Sequence, residues 1–280
     1  EDALNAVKQD VSGFEHNAHS VRPVYKPEHR YADFDGLNLT WETLEGLVKH
    51  NGPITGIVPA PIAGFDQRWP LDLQNWPWLE AQIAALADDI AYINHDIDDG
   101  LRAELFSVDD LSSAPLAGSH ALAVKARHPD IELGRFIGEL VRTLMSALIV
   151  DVLDQTRRRI SEAAPASFAA VRAQDRALVS FSAGMETQVV ALKRFLFEHM
   201  YRHPRVMNTM NQAKDVVAEL FTAFSVDPSL LPQDWAARCG APDDAVTGGV
   251  VRDYIAGMTD RFALSEYGRI FHKEIALSAP

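Results

Sequence analysis

Apolar residues recur at intervals of three and four along most of the chain, whereas alternation with a period of two is nearly absent. Intervals of three and four place side chains on one face of an α-helix, and a period of two is what a half-buried strand requires. The clearest case is the apolar stripe formed by Ile83, Leu86, Ile90, Ile93 and Ile97. The sequence therefore predicts an all-α fold.

The same periodicity, together with the positions of capping residues and prolines, predicts where the main helices begin and end. No repeat or low-complexity tract divides the chain, which favours one helical domain with a C-terminal lobe. The first predicted helix lies between Thr40 and Asn51, and the second runs from Glu80 to Asp99, with Gly100 ending it. A long helix follows Pro129, and the next runs from Met185 to His203, with Pro204 ending it. Two further helices are predicted over 206–223 and 250–264.

The formal net charge of −13 disfavours a general nucleic-acid-binding surface, because phosphate backbones are held mainly by lysine and arginine. An acidic protein can still hold a phosphorylated ligand if a divalent cation bridges the two. The single cysteine, Cys239, excludes an internal disulfide and fits a reducing, cytoplasmic compartment. No apolar run is long enough to predict a membrane anchor. Nucleotide-binding loops, dinucleotide fingerprints and zincin or serine-hydrolase motifs are absent from the sequence.

Three residues of the helix after Glu80 form a polar stripe opposite the isoleucines. Asp88, Tyr92 and Asp96 lie four residues apart, with further acidic residues at Asp89, Asp98 and Asp99. A solvated polar face is one interpretation. Repulsion between like charges at this spacing has no structural benefit unless a cation or a hydrogen-bonding ligand relieves it, so a metal or polyol site is the rival interpretation.

Two further groups of residues have the composition of a site. Lys193 and Tyr201 share a face of the predicted helix at 185–203, beside several arginines and a histidine. Cations near a helix end interact with the helix dipole, but this basic group could also hold a phosphate. His16 and His19 lie near the start of the chain, where a histidine is either structural or suited to proton transfer.

Three segments resemble one family. They are GLNLTWETLEGLVKHNGP at 36–53, ADDIAYINHDIDDG at 87–100 and DYIAGMTDRF at 253–262. Together, in this order, they are similar to the bacterial deoxyguanosine triphosphate triphosphohydrolase-like proteins of the HD superfamily. The resemblance implies an all-helical bundle in which 1–160 is the remainder of the HD core and 161–280 is a helical C-terminal part.

The resemblance also implies a metal-dependent hydrolase that cuts a deoxynucleoside triphosphate into deoxynucleoside and tripolyphosphate. In this family a histidine, a His-Asp doublet and a distant aspartate hold the metal, and Asp88 matches the distant aspartate. The other ligands are expected just upstream of Glu1. Mg²⁺ or Mn²⁺ is the expected ion, although another transition metal would accept the same ligands.

Carried over residue by residue, the resemblance implies roles for six further positions. Glu1 matches an active-site acid, and His16 matches the histidine that works beside it near the scissile phosphate. Tyr92 would pack on the deoxyribose, and Asp96 would accept a hydrogen bond from its 3′-hydroxyl. Lys193 matches a phosphate contact, and Tyr201 matches a second sugar contact.

Two alternatives stay open from the sequence. One is another HD-type reaction, such as removal of phosphate from a nucleoside monophosphate or cleavage of a cyclic dinucleotide. The other is a non-catalytic module that senses nucleotides or forms oligomers. Homo-oligomers, among them hexamers, are expected from the family, whereas single-stranded nucleic acid as a partner has no support in the charge.

Overall fold

The computed structural model of the protein describes residues 31–34 and 37–273. Every regular element in those ranges is helical, which confirms the predicted all-α class. The described residues divide into two compact units, 31–203 and 204–273. The division of the chain into 1–160 and 161–280 stays a prediction.

The first unit is built from eight α-helices and a π-helical turn within its described residues. They are α1 (Trp41–Lys49), α2 (Ala60–Asp66), α3 (Leu79–Arg102), α4 (Val108–Ser112), α5 (Ala117–Arg127), α6 (Leu133–Ala163), α7 (Phe168–Arg172), α8 (Ala183–Leu196) and the π turn (Phe197–Tyr201). Helices α3 and α5 both pack on α6, which makes α6 the centre of this unit.

Helix α1 begins and ends where the sequence predicts. The side chain of Thr40 accepts a hydrogen bond from the backbone N–H of Thr43, which satisfies one free donor of the first turn. The chain then leaves the helix through Gly52, whose φ of 101° lies in the left-handed region that favours glycine. The glycine and the proline that follows it therefore end α1 as expected.

A buried ionic cluster joins α1 to α7. Glu45, Lys49 and Arg172 are its three charged members, and the first two are fully buried. Glu45 lies 2.9 Å from the Nζ atom of Lys49 and 2.9 Å from the Nε atom of Arg172. Lys49 also donates to the backbone carbonyls of Asp72 and Asn75, at 3.0 Å each. The cluster therefore fixes α1 against both α7 and the segment that leads into α3.

Helix α3 is longer than predicted, because Gly100 lies inside it and does not end it. A Cβ atom at residue 100 would overlap the ring of Phe106, so glycine is present to let that ring approach the helix. Phe106 in turn meets Phe195 of α8 edge-on, with 5.4 Å between ring centroids. The absence of a side chain at residue 100 thus helps to bring α8 close to α3.

The predicted isoleucine stripe of α3 is buried over only part of its length. Ile90, Ile93 and Ile97 are between 0% and 6% exposed, whereas Ile83 is 52% exposed. The C-terminal half of α3 is therefore a core helix of the described structure. Its N-terminal half presents an apolar residue that no described neighbour covers.

Helix α6 contains the main buried stripe of the unit, as its periodicity predicts. Phe136, Ile137, Leu140, Leu144 and Leu148 repeat at intervals of one, three and four, and each is at most 3% exposed. Asp151, one turn further along, accepts hydrogen bonds from the backbone N–H and the hydroxyl of Ser182, the N-cap of α8. The long helix therefore sets the position at which α8 begins.

The second unit contains four α-helices and one 3-10 turn in its described residues. They are α9 (Pro204–Val226), the 3-10 turn (Pro228–Leu230), α10 (Gln233–Ala236), α11 (Ala245–Ala256) and α12 (Asp260–Phe271). Leu220, Phe224, Val251 and Tyr254 belong to its apolar core.

One predicted helix boundary near this unit is confirmed, and one within it is wrong. Pro204 does end the preceding helical segment, but it is also the first residue of α9, where its fixed φ and missing N–H are tolerated. The helix predicted over 250–264 is two helices, because Thr259 caps the start of α12 by accepting a hydrogen bond from the N–H of Phe262. Among the described helices, none has an apolar stretch long enough to cross a membrane.

Candidate functional site

Two of the predicted site residues, Glu1 and His16, lie outside the residues that the structure describes. The other five, Asp88, Tyr92, Asp96, Lys193 and Tyr201, belong to the first unit and can be located in the fold. Three of them are on α3, one is on α8 and one ends the π turn. We use the term "α3–α8 face" for these five residues together with Asp89.

The predicted polar stripe of α3 has the spacing and exposure of a surface that can meet a ligand. Asp88, Tyr92 and Asp96 lie four residues apart on one side of the helix, with Ile90, Ile93 and Ile97 buried elsewhere on its circumference. Tyr92 is 61% exposed, and its ring makes no aromatic or cation contact with the other described residues. It therefore offers a free face for stacking.

Side chains from α8 and the π turn reach this stripe at two points. The Nζ atom of Lys193 lies 2.5 Å from an Oδ atom of Asp89. The hydroxyl of Tyr201 donates a hydrogen bond of 2.6 Å to Asp96. The structure therefore brings together the acidic and basic groups that were predicted separately from residues about a hundred positions apart.

The π turn explains how Lys193 and Tyr201 come to lie on the same side of their helical segment. Eight residues separate them, so in an uninterrupted α-helix they would share a broad face but lie about 80° apart around the axis. The turn Phe197–Tyr201 has π-helical hydrogen bonding, which takes up extra residues in one turn and restores the alignment. Insertions of this kind are frequent at functional sites.

The start of α8 is fixed by α3 as well as by α6. The side-chain oxygen of Gln82, which is 6% exposed, accepts hydrogen bonds from the backbone N–H groups of Leu178 and Val179. These residues lie four and three positions before Ser182, the N-cap of α8. The α3–α8 face is therefore held by buried contacts at one end and by the Gly100–Phe106–Phe195 packing at the other.

Partial burial changes the ionisation of the Asp96–Tyr201 pair. Burial raises the pKa of Asp96 above its ordinary value, and the hydrogen bond from Tyr201 opposes this shift. Burial raises the pKa of Tyr201 as well, with the Asp96 hydrogen bond and the nearby Tyr92 acting in the same direction. Tyr201 therefore remains a protonated hydrogen-bond donor throughout the neutral range.

Asp88 lies at the margin of a groove of about 640 Å³ between α1 and the N-terminal half of α3. Ala81, Ala84 and Ala85 give the groove a floor of small residues, and His50 and Glu80 add polar atoms. The carboxylate of Asp88 is exposed and has no recorded partner among the described residues. Of the three carboxylates on the α3–α8 face, it is the one that can bind a cation without first losing a contact to another described residue.

The described residues do not complete a metal centre around Asp88. Within 31–34 and 37–273, no three histidine, cysteine, aspartate or glutamate side chains are placed to hold one ion. Asp88 has the donor type that a divalent cation prefers. It therefore fits as one ligand of such a cation.

The sequence places Asp89 among the acidic residues around the polar stripe, solvated or close to a ligand, and does not connect it with Lys193. A pairing across 104 residues depends on how α3 and α8 pack, which periodicity does not reveal. Asp98 pairs with Arg102 one turn away, at 2.8 Å. The ionic cluster around Glu45 was also missed, although the spacing of Glu45 and Lys49 is a visible pairing signal.

Comparisons with known proteins agree with the family that the sequence resembles. A family described as a phosphohydrolase-associated domain matches residues 179–269, which include Lys193 and Tyr201. The chain is 50% identical over 277 residues to a deoxyguanosinetriphosphate triphosphohydrolase-like protein of Parvibaculum lavamentivorans, covering 97% of this chain and 70% of the relative. It is 47% identical over 281 residues to the protein of the same description from Brucella ovis, covering 98% and 70%. For that of Caulobacter vibrioides the identity is 46% over 279 residues, covering 98% and 71%.

Proposed function

We propose that the chain acts in the metal-dependent hydrolysis of deoxynucleoside triphosphates to deoxynucleoside and tripolyphosphate, since it belongs to the family of deoxyguanosinetriphosphate triphosphohydrolase-like proteins. The observation that carries this proposal is the composition of the α3–α8 face. An exposed aromatic ring, a carboxylate–phenol pair, a lysine and an unpartnered carboxylate lie on two adjacent helical segments. These are groups suited to a sugar, a phosphate chain and a cation.

The middle of the face is suited to the deoxyribose. The exposed ring of Tyr92 can lie against the sugar, and Asp96 can accept a hydrogen bond from the 3′-hydroxyl. Tyr201 already donates to Asp96 and holds that carboxylate in a fixed orientation. A ring packed closely on the sugar leaves no room for a 2′-hydroxyl, which would give discrimination against ribonucleotides.

The end of the face that contains Asp88 is suited to the phosphates. Lys193, which contacts the neighbouring Asp89, supplies a positive charge in a protein whose net charge is −13. At the same end Asp88 is the described residue that would hold a divalent cation, with Mg²⁺ or Mn²⁺ expected. Phosphohydrolases of the HD superfamily generally use such ions, which neutralise phosphate charge and acidify bound water. Glu1 and His16 would manage the proton that goes to the leaving 5′-oxygen.

Product analysis tests the proposal directly. The full-length protein is incubated with each deoxynucleoside triphosphate and with the matching ribonucleotides, in magnesium or manganese, and the phosphate products are separated. We expect tripolyphosphate and deoxynucleoside. Release of pyrophosphate or orthophosphate without tripolyphosphate would contradict the proposal.

Substitution of Tyr92 tests the assigned sugar contact. Tyr92→Ala should lower the preference for deoxy- over ribonucleotides, measured as the ratio of kcat/KM values, by about tenfold or more. Tyr92→Phe keeps the ring and is the matched control, so it should retain the preference. Equal ratios in both variants would remove Tyr92 from the sugar site.

A second candidate is the one that the sequence leaves open, a module that binds nucleotides without cleaving them. In that case triphosphates would stay intact in the product assay while still binding in calorimetry. Light scattering on the same samples would report the oligomers that the resemblance predicts.

A further inference from the structure

The ion pair between Asp89 and Lys193 occupies the position at which the proposed function requires a phosphate contact. The Nζ and Oδ atoms are 2.5 Å apart, and each side chain is 43% exposed. Asp89 directly follows Asp88 and lies three residues before Tyr92, so the pair is inside the α3–α8 face. The pair therefore has to be considered together with substrate binding.

A carboxylate and a phosphate oxygen make the same kind of contact with an ammonium group. Both are anionic acceptors, and a lysine is a compact point charge that can exchange one for the other. Exposed ion pairs between lysine and carboxylate contribute little to stability, because water competes for both partners. Breaking the pair in favour of a phosphate is therefore inexpensive for the fold.

We infer that Asp89 is an internal competitor of the substrate for Lys193: its carboxylate holds the ammonium while the site is empty and must give way when a phosphate chain binds. This inference rests on the proposed function, since it takes Lys193 as a phosphate contact. A competitor lowers the apparent affinity for the ligand by the fraction of molecules in which the binding group is already engaged. Asp89 would thereby keep the site from holding free phosphates and products tightly.

A purely orienting role for Asp89 makes the opposite prediction. If the carboxylate mainly aims Lys193 at the substrate, its removal should leave the lysine less ordered and weaken phosphate binding. If the pair merely joins α8 to α3, its removal should lower the melting temperature without changing phosphate affinity. The sign of the affinity change therefore separates competition from the other two roles.

The test uses the full-length protein with inorganic tripolyphosphate as the probe, titrated by calorimetry at low ionic strength without added metal. Asp89→Asn keeps the size of the side chain and removes its charge. Asp98→Asn is the matched control, because it removes the same charge from the same helix and breaks an exposed pair with Arg102. Lys193→Gln and the double variant complete a cycle that isolates the coupling between Asp89 and Lys193.

We expect Asp89→Asn to tighten tripolyphosphate binding about two- to fivefold, as exposed pairs of this kind allow. Asp98→Asn should change it by less than about twofold, since its charge is further from Lys193 and is screened. In the Lys193→Gln background the effect of Asp89→Asn should fall to that of Asp98→Asn. Equal or weaker binding by Asp89→Asn, with Lys193→Gln still impaired, would overturn the inference alone. Unimpaired binding by Lys193→Gln would instead remove the phosphate role of Lys193 from the proposed function.

Discussion

The ionic cluster around Glu45 and the pairs on the α3–α8 face are made of similar groups in different surroundings. Glu45 and Lys49 are fully buried, whereas Asp89 and Lys193 are each 43% exposed. Glu45 also has more partners, since it accepts from Lys49, from Arg172 and from the backbone N–H of Trp78. Asp89 has one recorded partner among the described residues.

The difference in burial decides what each set of contacts can do. A buried charge cannot be left unpaired without a large cost, so the cluster around Glu45 holds α1, α7 and the segment before α3 in one arrangement. Burial lowers the pKa of Lys49, while its hydrogen bond to Glu45 opposes that change. On the α3–α8 face water can replace either partner, and a ligand can do the same. The buried contacts therefore fix the architecture, whereas the exposed contacts can be exchanged for contacts with water or a ligand.

The largest expected effect comes from breaking the buried cluster. Glu45→Gln should lower the free energy of unfolding by about 3–5 kcal/mol, because it leaves the buried ammonium of Lys49 and the guanidinium of Arg172 without their counter-charge. Urea denaturation followed by circular dichroism measures the loss. Asp98→Asn, which breaks an exposed pair, is the control and should show a much smaller loss. Similar losses of unfolding free energy in the two variants would show that burial does not distinguish the Glu45 cluster from the exposed pairs.

A smaller effect is expected from the packing that holds α8 near α3. Gly100→Ala should destabilise the protein by about 1–3 kcal/mol, because the added methyl overlaps the ring of Phe106 and forces the core to shift. Gly138→Ala in α6 is the matched control, since a Cβ atom there meets nothing within 4 Å. It should gain up to about 1 kcal/mol from helix propensity. Stabilisation by both substitutions in thermal unfolding would show that the Phe106 ring moves freely.

These contacts also mark how far the sequence could predict the structure. Periodicity located α1, α3, α6 and α8, because a helix buries its residues at regular intervals that are visible in the chain itself. It wrongly predicted that Gly100 ends α3. In the sequence alone, a glycine that makes room for a neighbouring ring cannot be distinguished from one that ends a helix. The break at Thr259 was hidden because apolar spacing continues across it. Such errors arise where a neighbour, and not the local sequence, determines the structure.

The candidate site was predictable to a similar degree. The spacing of Asp88, Tyr92 and Asp96 placed three residues on one face of α3, and the fold agrees. Their partners on α8 depend on helix packing and on a π turn that no sequence pattern announced. The contact of Asp89 with Lys193 was therefore out of reach, although both residues had been named.

The smallest expected effect concerns the ionisation of Asp96 in its pair with Tyr201. The pKa of Asp96 is raised, so its contribution to stability is present below the pKa of the unfolded chain and is lost as the pH rises through the folded pKa. Tyr201→Phe removes a hydrogen bond that favours the carboxylate, so it should raise the pKa of Asp96 further. The free energy of unfolding of the variant should then fall below that of the wild type by about 1 kcal/mol once Asp96 is ionised, and the two should converge when it is protonated.

Carbon-detected NMR titration of the Asp96 carboxyl group measures the shift in its pKa. Tyr92→Phe is the control, because its hydroxyl makes no recorded hydrogen bond to Asp96, and its titration should match the wild type. An unchanged or lower pKa in Tyr201→Phe would mean that the 2.6 Å contact does not persist in solution.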